Sequence, residues 1–109
     1  METIKILIVD DEEIRHEMFR KKYPMFDITS VYNSSDAIKL LSKNKYNTIF
    51  LDHDLGGDDT GVKVAEFIDR AHIRSFIIVH SMNPVGASNI KRILPSARIL
   101  PGAFAEILP

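Results

Sequence analysis

Short runs rich in β-branched residues alternate along the chain with longer stretches whose apolar residues recur at helical spacing. The runs occupy residues 6–9, 29–32, 48–51 and 76–79. A fifth and weaker run, residues 97–100, is closed by Pro101 and Gly102. Because short apolar runs bounded by polar residues are typical of buried strands, the pattern predicts four strands and a weaker fifth.

The four intervening stretches are of helical length and span residues 12–23, 36–42, 62–71 and 85–94. Pro24 and Pro95 close the first and the last, since proline cannot continue a helix. Ile14, Met18 and Phe19 recur at helical spacing in the first stretch, and the second and third have similar apolar positions. We therefore predict that each of these helices buries one face.

Regular alternation of strands and helices predicts an α/β fold with a doubly wound, five-stranded parallel sheet. Apolar strands linked by right-handed crossovers place helices against both faces of such a sheet. After the fifth strand, the segment GAFAEILP has room for only one or two helical turns, so the last helix is predicted to be truncated. A length of 109 residues suits one core, and we expect residues 1–109 to form a single domain.

Composition narrows the class of protein. With 45% hydrophobic and 27% charged residues, the chain is too apolar for a disordered tail, yet it has no apolar stretch long enough to span a bilayer. A formal net charge of −1 gives no overall positive field that would attract a polyanion. The sequence also has no stripe of basic residues of the kind that binds duplex DNA. Zero cysteines and a start unlike a signal peptide lead us to expect a cytoplasmic protein without membrane or duplex DNA partners.

Polar side chains follow the first, third and fourth predicted strands at the point where each strand ends. They are Asp10 and Asp11, then Asp52, His53 and Asp54, then His80, Ser81 and Asn83. The carboxyl ends of parallel strands meet at one edge of an open sheet, where ligands bind, so these side chains should converge. Several carboxylates at one edge repel each other unless a cation joins them, and oxygen ligands favour Mg²⁺, with Ca²⁺ or Mn²⁺ as weaker candidates.

Two histidines accompany the predicted acidic site. Imidazole exchanges protons near neutral pH, so His53 and His80 suit proton transfer to or from a phosphate ester oxygen. His16 and His72 fall on predicted helices away from the strand ends, and we assign them no role.

The acidic residues also have structural interpretations. Asp10 or Asp11 is equally explained as a cap for the helix that begins near residue 12. The segment DHDLGGDDTG, residues 52–61, is also consistent with an exposed acidic loop that its glycines turn, with Asp58 and Asp59 in solvent.

The histidines and the serine have structural interpretations as well. In an extended strand, alternation would point His53 away from Asp52 and Asp54, as for a packed structural histidine. His80, at the end of an apolar strand, would serve equally as a satisfied core histidine. Ser81 could simply cap the fourth helix.

The segments ILIVDDEE, NTIFLDHDL, TGVKVAEFI and FIIVHSMNP, in this order, resemble a response-regulator receiver domain over nearly the whole chain. The resemblance implies the flavodoxin-like strand order 2-1-3-4-5, for which a receiver is a standard example. It implies that Asp10 and Asp11 bind Mg²⁺, that the backbone carbonyl of Asp54 does so too, and that Asp52 accepts phosphate from a histidine kinase. The reaction is an in-line attack of the carboxylate on a phosphoryl group.

The sequence departs from the receiver pattern at two strand ends. Receivers place a threonine or serine after the fourth strand, where this chain has His80 followed by Ser81. They place a lysine before a proline after the fifth strand, where this chain has Leu100 before Pro101. Loss of that lysine removes a direct contact to the acyl phosphate, which argues against ordinary phosphorelay signalling.

The motifs LDHDLG and HSMNPVG are similar to those of the cyclic-phosphate-processing receiver family, whose second motif has the pattern HSxNPxG. That resemblance implies a receiver site converted to a metal-dependent phosphoesterase for cyclic phosphates. Arg15 stands near the position where this family carries an arginine after its acidic pair.

The leading hypothesis is therefore a metal-dependent enzyme that acts on a cyclic nucleotide or on a cyclic-ended RNA. Its metal ligands would be Asp10, Asp11, Asp52 and Asp54. Its catalytic residues would be His80, His53 and Asp52. Its substrate-binding residues would be Ser81 and Asn83.

Two other functions are compatible with the same residues. In the first, the chain is a signalling receiver in a two-component phosphorelay, with Asp52 phosphorylated by a histidine kinase. In the second, the scaffold persists without chemistry, as a partner domain that neither phosphate nor metal affects.

Overall fold

Strands and helices alternate throughout residues 3–100, the part of the chain that the computed structural model describes. The elements are β1 (Lys5–Val9), α1 (Glu13–Lys22), β2 (Asp27–Val31), α2 (Ser34–Leu41), β3 (Thr48–Leu51), α3 (Gly61–Arg70), β4 (Phe76–Val79), α4 (Pro84–Ile93) and β5 (Arg98–Ile99). All strand pairings are parallel, and the strand order is β2-β1-β3-β4-β5. The predicted α/β fold, parallel sheet and strand order are confirmed.

The edges of the sheet differ most from the predicted boundaries. Strand β2 begins at Asp27, two residues before the predicted run, and it pairs with β1 alone. Asp27 is exposed, the next three residues are partly buried and only Val31 is buried, which agrees with a weaker apolar pattern than that of the central strands. Strand β5 is reduced to Arg98 and Ile99, both exposed. The predicted truncated helix falls in residues 101–109, outside the described residues.

Two apolar layers cover the two faces of the sheet. Alternate residues of the central strands, such as Leu7 and Ile49, pack with α2, α3 and α4. The intervening residues, such as Ile8 and Phe50, pack with α1, where the Phe19 ring meets the Phe50 ring at 4.8 Å between centroids. Because both faces are covered, the central strands are buried almost throughout. None of the described helices is long and apolar enough to cross a membrane.

The predicted buried face of α1 is wrong in part. Ile14 and Met18 are 57% and 48% exposed, whereas Phe19 is buried as expected. His16 takes the inward position, fully buried, and its Nε2 lies 2.8 Å from the backbone carbonyl oxygen of Asp10. Positions 14 and 16 are about 200° apart around a helix, so a buried His16 turns Ile14 outward. The prediction used apolar residues only and treated histidine as polar, so it missed the buried face that contains His16.

His72 also differs from its predicted place on a helix. It lies in the turn after α3 with a φ of 54°, in the left-handed region that only a minority of residues other than glycine adopt.

The register of the sheet places three strand ends side by side. Val9 pairs with Leu51, and Leu51 pairs with Val79. The ladder then continues by one residue, since the Asp52 N–H donates to the Val9 carbonyl at 3.0 Å and the His80 N–H donates to the Leu51 carbonyl at 3.1 Å. The residues that follow β1, β3 and β4 therefore emerge together at the carboxyl edge of the sheet.

A close backbone contact fixes the end of β3 against α3. The Gly61 N–H donates to the His53 carbonyl at 2.7 Å. A Cβ atom on Gly61 would lie 2.2 Å from the backbone oxygen of Asp52. Only glycine allows the first turn of α3 to approach Asp52 so closely.

We predict that Gly61→Ala destabilises the protein by about 1–3 kcal/mol, because the added methyl group must push the backbone at Asp52 away. Urea unfolding measures the change, with Glu66→Ala on the exposed face of the same helix as the control. Alanine is the better helix former by roughly 1 kcal/mol. A Gly61→Ala protein more stable than the parent would therefore contradict the close packing.

Candidate functional site

Three carboxylates meet at the carboxyl edge of the sheet. Asp10, Asp11 and Asp52 each offer an oxygen, and these oxygens all lie within 4.8 Å of one another. The Asp10 and Asp52 side chains are 0% and 5% exposed, whereas Asp11 is exposed. The structure thus brings together the side chains of three of the four residues predicted as metal ligands, two of them inside the protein.

His80 is in direct contact with this acidic cluster. Its Nε2 lies 2.9 Å from Oδ2 of Asp10, and both side chains are almost completely buried. The other Asp10 oxygen accepts the backbone N–H of Glu12, the residue before α1, at 2.9 Å. Although burial raises the pKa of Asp10, the hydrogen bonds from His80 and Glu12 bring it below its usual value. Asp10 therefore orders the start of α1 and also holds the histidine.

Arg15 completes the contacts of the cluster from the first turn of α1. Its NH1 lies 3.0 Å from Oδ2 of Asp10 and 3.2 Å from Oδ2 of Asp52. Burial lowers the pKa of this guanidinium, but the hydrogen bond and the charge of Asp10 raise it by more. The pKa of Arg15 therefore lies above its usual value. Arg15 had no assigned role among the sequence-based predictions, although it stands near the position where the family carries an arginine after its acidic pair. Its position one helical turn past that pair was a second signal, because α1 begins at Glu13, shortly after β1 ends at Val9.

Burial and the neighbouring Asp10 raise the pKa of the Asp52 carboxyl to about 6, although His80, Arg15 and the His53 N–H act in the opposite direction. The two buried carboxylates are thus difficult to ionise together. A divalent ion would relieve this repulsion, and a set of carboxylate oxygens suits a hard cation such as Mg²⁺. The residues present fit such an ion.

His53 and Asp54 lie beside the cluster and contact each other. Nδ1 of His53 is 2.9 Å from Oδ1 of Asp54, whose side chain is 63% exposed. The His53 ring packs on the first turn of α4, where a Cβ on Gly86 would lie 2.3–2.7 Å from ring atoms. His53 is therefore directed towards α4, and the Asp54 carboxylate bonds it rather than joining Asp10 and Asp52. The metal contact predicted for the Asp54 backbone carbonyl stays a prediction.

Ser81 and Asn83 organise the entry into α4. Asn83 is the N-cap residue, and its Oδ1 accepts the Gly86 N–H at 3.0 Å. The Ser81 hydroxyl oxygen accepts the Asn83 N–H at 3.1 Å. The capping role suggested for Ser81 thus belongs to Asn83, with Ser81 bracing it. Their predicted substrate contacts remain a prediction.

The family model of the cyclic-phosphate processing receiver domain matches residues 5–96. The chain belongs to this family. It is a receiver domain of the response-regulator type. A relative, stress response regulator protein 1 of Lodderomyces elongisporus, is 35% identical over 68 residues, which cover 59% of this chain and 18% of that protein. The chain thus spans less than a fifth of the length of this relative.

Solved receiver structures share the fold. TrrA of Thermotoga maritima, in complex with Mg²⁺ and BeF, aligns with a TM-score of 0.81 and 21% identity over 96% of this chain and 93% of that one. The receiver domain of Francisella response regulator 1452 aligns at 0.79 and 18% over 96% and 90%. A Burkholderia pseudomallei response regulator with a phosphorylated aspartic acid, a calcium ion and citrate aligns at 0.79 and 22% over 95% and 63%.

The loop between β3 and α3 of this receiver domain is less open than a solvated acidic loop. The Asp59 carboxylate accepts the Ser34 N–H at 2.8 Å and the Ser34 hydroxyl at 2.5 Å. Burial raises the pKa of Asp59, but these hydrogen bonds and nearby Lys63 lower it below its usual value. Of the two aspartates that this interpretation placed in solvent, only Asp58 is exposed. Asp59 ties the loop that carries Asp54 to the start of α2.

Leu100 occupies the position where receivers carry the lysine that grips phosphate. Its N–H donates to the Val79 carbonyl at 2.9 Å, so it continues β5 alongside β4. Its side chain packs against the apolar cluster that contains Phe19 and Phe50. This position contributes packing rather than charge to the receiver domain.

A cavity bounded by described residues lies away from the acidic cluster. It has a volume of about 720 Å³ and is lined by residues such as Tyr46, Phe67 and Arg74. These residues flank the opposite ends of β3 and α3, and none belongs to the acidic cluster. This cavity and the acidic cluster are therefore at different edges of the sheet.

We predict that the metal-free receiver domain loses stability between about pH 4 and pH 6 relative to Asp52→Asn. A pKa raised from 3.8 to about 6 means that the folded state keeps a proton that the unfolded state releases, so stability falls as the pH rises through this window. The full difference is about 3 kcal/mol, at roughly 1.36 kcal/mol per pH unit.

Thermal unfolding of both proteins with a chelator present measures this difference. Asp59 titrates in both proteins and cancels, so the comparison reports the ionisation of Asp52 together with its electrostatic coupling to Asp10. Parallel pH profiles for the two proteins would show that Asp52 ionises normally and that the cluster is not under electrostatic stress.

Proposed function

We propose that this receiver domain is a metal-dependent phosphoesterase that acts on cyclic phosphates, such as a cyclic nucleotide or a cyclic RNA end. The observation that carries the proposal is the contact between the buried His80 imidazole and Asp10, within a cluster of three carboxylates. Receivers place a hydroxyl residue where His80 stands, and a hydroxyl is a poor proton carrier near neutral pH. The description of the family supports the same chemistry.

The side chains of Asp10, Asp11 and Asp52 would hold the divalent ion, together with the backbone carbonyl of Asp54. Mg²⁺ suits this oxygen set, with Mn²⁺ or Ca²⁺ as alternatives. When bound, such an ion neutralises charge that develops on the phosphate oxygens. Asp52 would then act as a ligand within the catalytic site rather than as a nucleophile.

His80 would be the principal proton carrier. The Asp10 carboxylate would hold a proton at Nε2 of His80 and fix the orientation of the ring, as acidic partners of catalytic histidines do; the 2.9 Å contact between the two groups supports this. A positioned imidazole contributes roughly 10²- to 10⁴-fold to such a reaction. Burial of both groups shields their hydrogen bond from water, which keeps the ring in one orientation.

Supporting roles would fall to the two neighbouring loops. His53, oriented by Asp54, would be the second proton carrier, so that one imidazole activates water and the other protonates the leaving oxygen. The Ser81 hydroxyl and the Asn83 amide would bind phosphate oxygens or a ribose hydroxyl. Their hydrogen bonds at the start of α4 support this role, because they hold both side chains in the loop that follows His80.

We predict that the purified protein opens 2′,3′-cyclic nucleotides or cyclic-ended RNA when Mg²⁺ or Mn²⁺ is present. His80→Ala should lower kcat by roughly 10²- to 10⁴-fold, because the imidazole is lost. His72→Asn is the matched control, since His72 is an exposed turn residue and asparagine tolerates its left-handed backbone. Full activity of His80→Ala would remove this residue from the mechanism, and failure on a broad panel of cyclic phosphates would contradict the proposed activity.

A second candidate function is that of a phosphoacceptor receiver. Asp52 follows β3 and lies next to Asp10 and Asp11, and the Burkholderia pseudomallei regulator of the same fold contains a phosphorylated aspartic acid. A histidine kinase would then be the partner. The apolar Leu100 in place of the lysine weighs against stable signalling by this route.

For this second function, we expect incubation with a small phosphodonor and Mg²⁺ to add one phosphate to the protein, as measured by mass spectrometry. Asp52→Asn should abolish the adduct, because the amide lacks the nucleophilic oxygen. Asp58→Asn, in the exposed part of the same loop, should leave it unchanged. An unmodified parent protein would contradict the phosphoacceptor role.

A further inference from the structure

The guanidinium of Arg15 lies between the two buried carboxylates of the site. One nitrogen, NH1, is within 3.2 Å of both Asp10 oxygens and of Oδ2 of Asp52. A divalent ion that binds either oxygen of Asp10, or Oδ2 of Asp52, would need an oxygen that now accepts one of these hydrogen bonds. Arginine and ion therefore compete for the same ligands.

We propose that Arg15 is the internal counter-ion of the metal site, which gives up carboxylate contacts when the ion binds and then binds the phosphate of the ligand. This inference rests on the proposed function. It assigns to Arg15 two linked effects: a lowered affinity for the metal and a raised affinity for phosphate once the metal is present.

Charge explains why the arginine would stay near the site after the exchange. Asp10, Asp11 and Asp52 carry three negative charges when ionised, which a divalent ion and one guanidinium neutralise together. A guanidinium released from the carboxylates is then available to an anion, and its planar fork matches phosphate oxygens.

The surroundings of Arg15 leave it room to change partners. Its side chain is 28% exposed, and NH2 already contacts the exposed carboxylate of Glu12 at 3.3 Å. Arg15 thus reaches from the buried aspartates to the rim of the site. A guanidinium fully enclosed by the core would have no second position.

Among the described residues, Arg15 has no equivalent at the site. Within residues 3–100, no lysine or other arginine forms an ion pair with Asp10 or Asp52. The fifth-strand position that supplies a lysine in receivers is the apolar Leu100, packed in the core layer of α1. Phosphate in this domain would therefore meet positive charge from α1 instead of from β5.

The test compares Arg15→Gln with the parent protein and with Arg20→Gln. Arg20 lies on the same helix and pairs with Glu13 rather than with the aspartates, so its substitution changes the net charge equally. Isothermal titration calorimetry measures the binding of Mg²⁺ alone, and then of inorganic phosphate at saturating Mg²⁺.

We expect Arg15→Gln to bind Mg²⁺ about tenfold more tightly, equivalent to about 1.4 kcal/mol, and to bind phosphate about tenfold more weakly. Arg20→Gln should match the parent in both titrations. A purely structural role for Arg15 would not move the two affinities in opposite directions.

Unchanged or weaker Mg²⁺ binding by Arg15→Gln would overturn the counter-ion role, and unchanged phosphate binding would overturn the phosphate contact. Absence of Mg²⁺ binding in all three proteins would instead overturn the proposed metal site itself. If the Arg15→Gln protein is too unstable for calorimetry, the increase in its Tm on adding Mg²⁺ is measured instead. A larger rise than in the parent supports the counter-ion role, and an equal or smaller rise contradicts it.

Discussion

The structure of the site depends on the burial of two carboxylates, Asp10 and Asp52, on neighbouring strands. Burying ionised groups is costly unless they are paired or hydrogen-bonded. Each feature around them reduces that cost: His80 and the Glu12 N–H stabilise Asp10, and Arg15 contacts both carboxylates. The raised pKa of Asp52 shows that the compensation is incomplete. A divalent ion would supply the positive charge that is missing here.

The fold creates this deficit through backbone register rather than through side-chain attraction. Parallel pairing of β1, β3 and β4 continues one residue past the strands, so Asp10, Asp52 and His80 must lie in a row. The apolar layers on both faces stabilise the sheet and thereby hold the row together. The geometry of the site therefore depends on the packing of the core. The close contact of Gly61 with the end of β3 contributes to the packing and also fixes the position of Asp52.

The chain belongs to the cyclic-phosphate processing receiver family, and its two departures from the receiver pattern both change the charged and proton-exchanging groups near the site. A histidine takes the place of a hydroxyl residue at the end of β4, and an apolar residue replaces the lysine after β5. The first change adds an imidazole beside the acids, and the second leaves an apolar side chain where receivers have a positive charge. Both changes support the proposed hydrolysis of a phosphate ester rather than storage of an acyl phosphate.

Local pattern determined the strands, the helices and the acidic edge, because apolar periodicity and strand ends are properties of neighbouring residues. The receiver resemblance added the strand order. Tertiary structure alone decided the rest: His16 fills the inward face of α1, Arg15 bridges Asp10 and Asp52, and Asp59 bonds to Ser34 across 25 positions of sequence. These contacts join segments that are distant along the chain or oriented by packing. A helical or strand period says which residues share a face, but it does not say what that face meets.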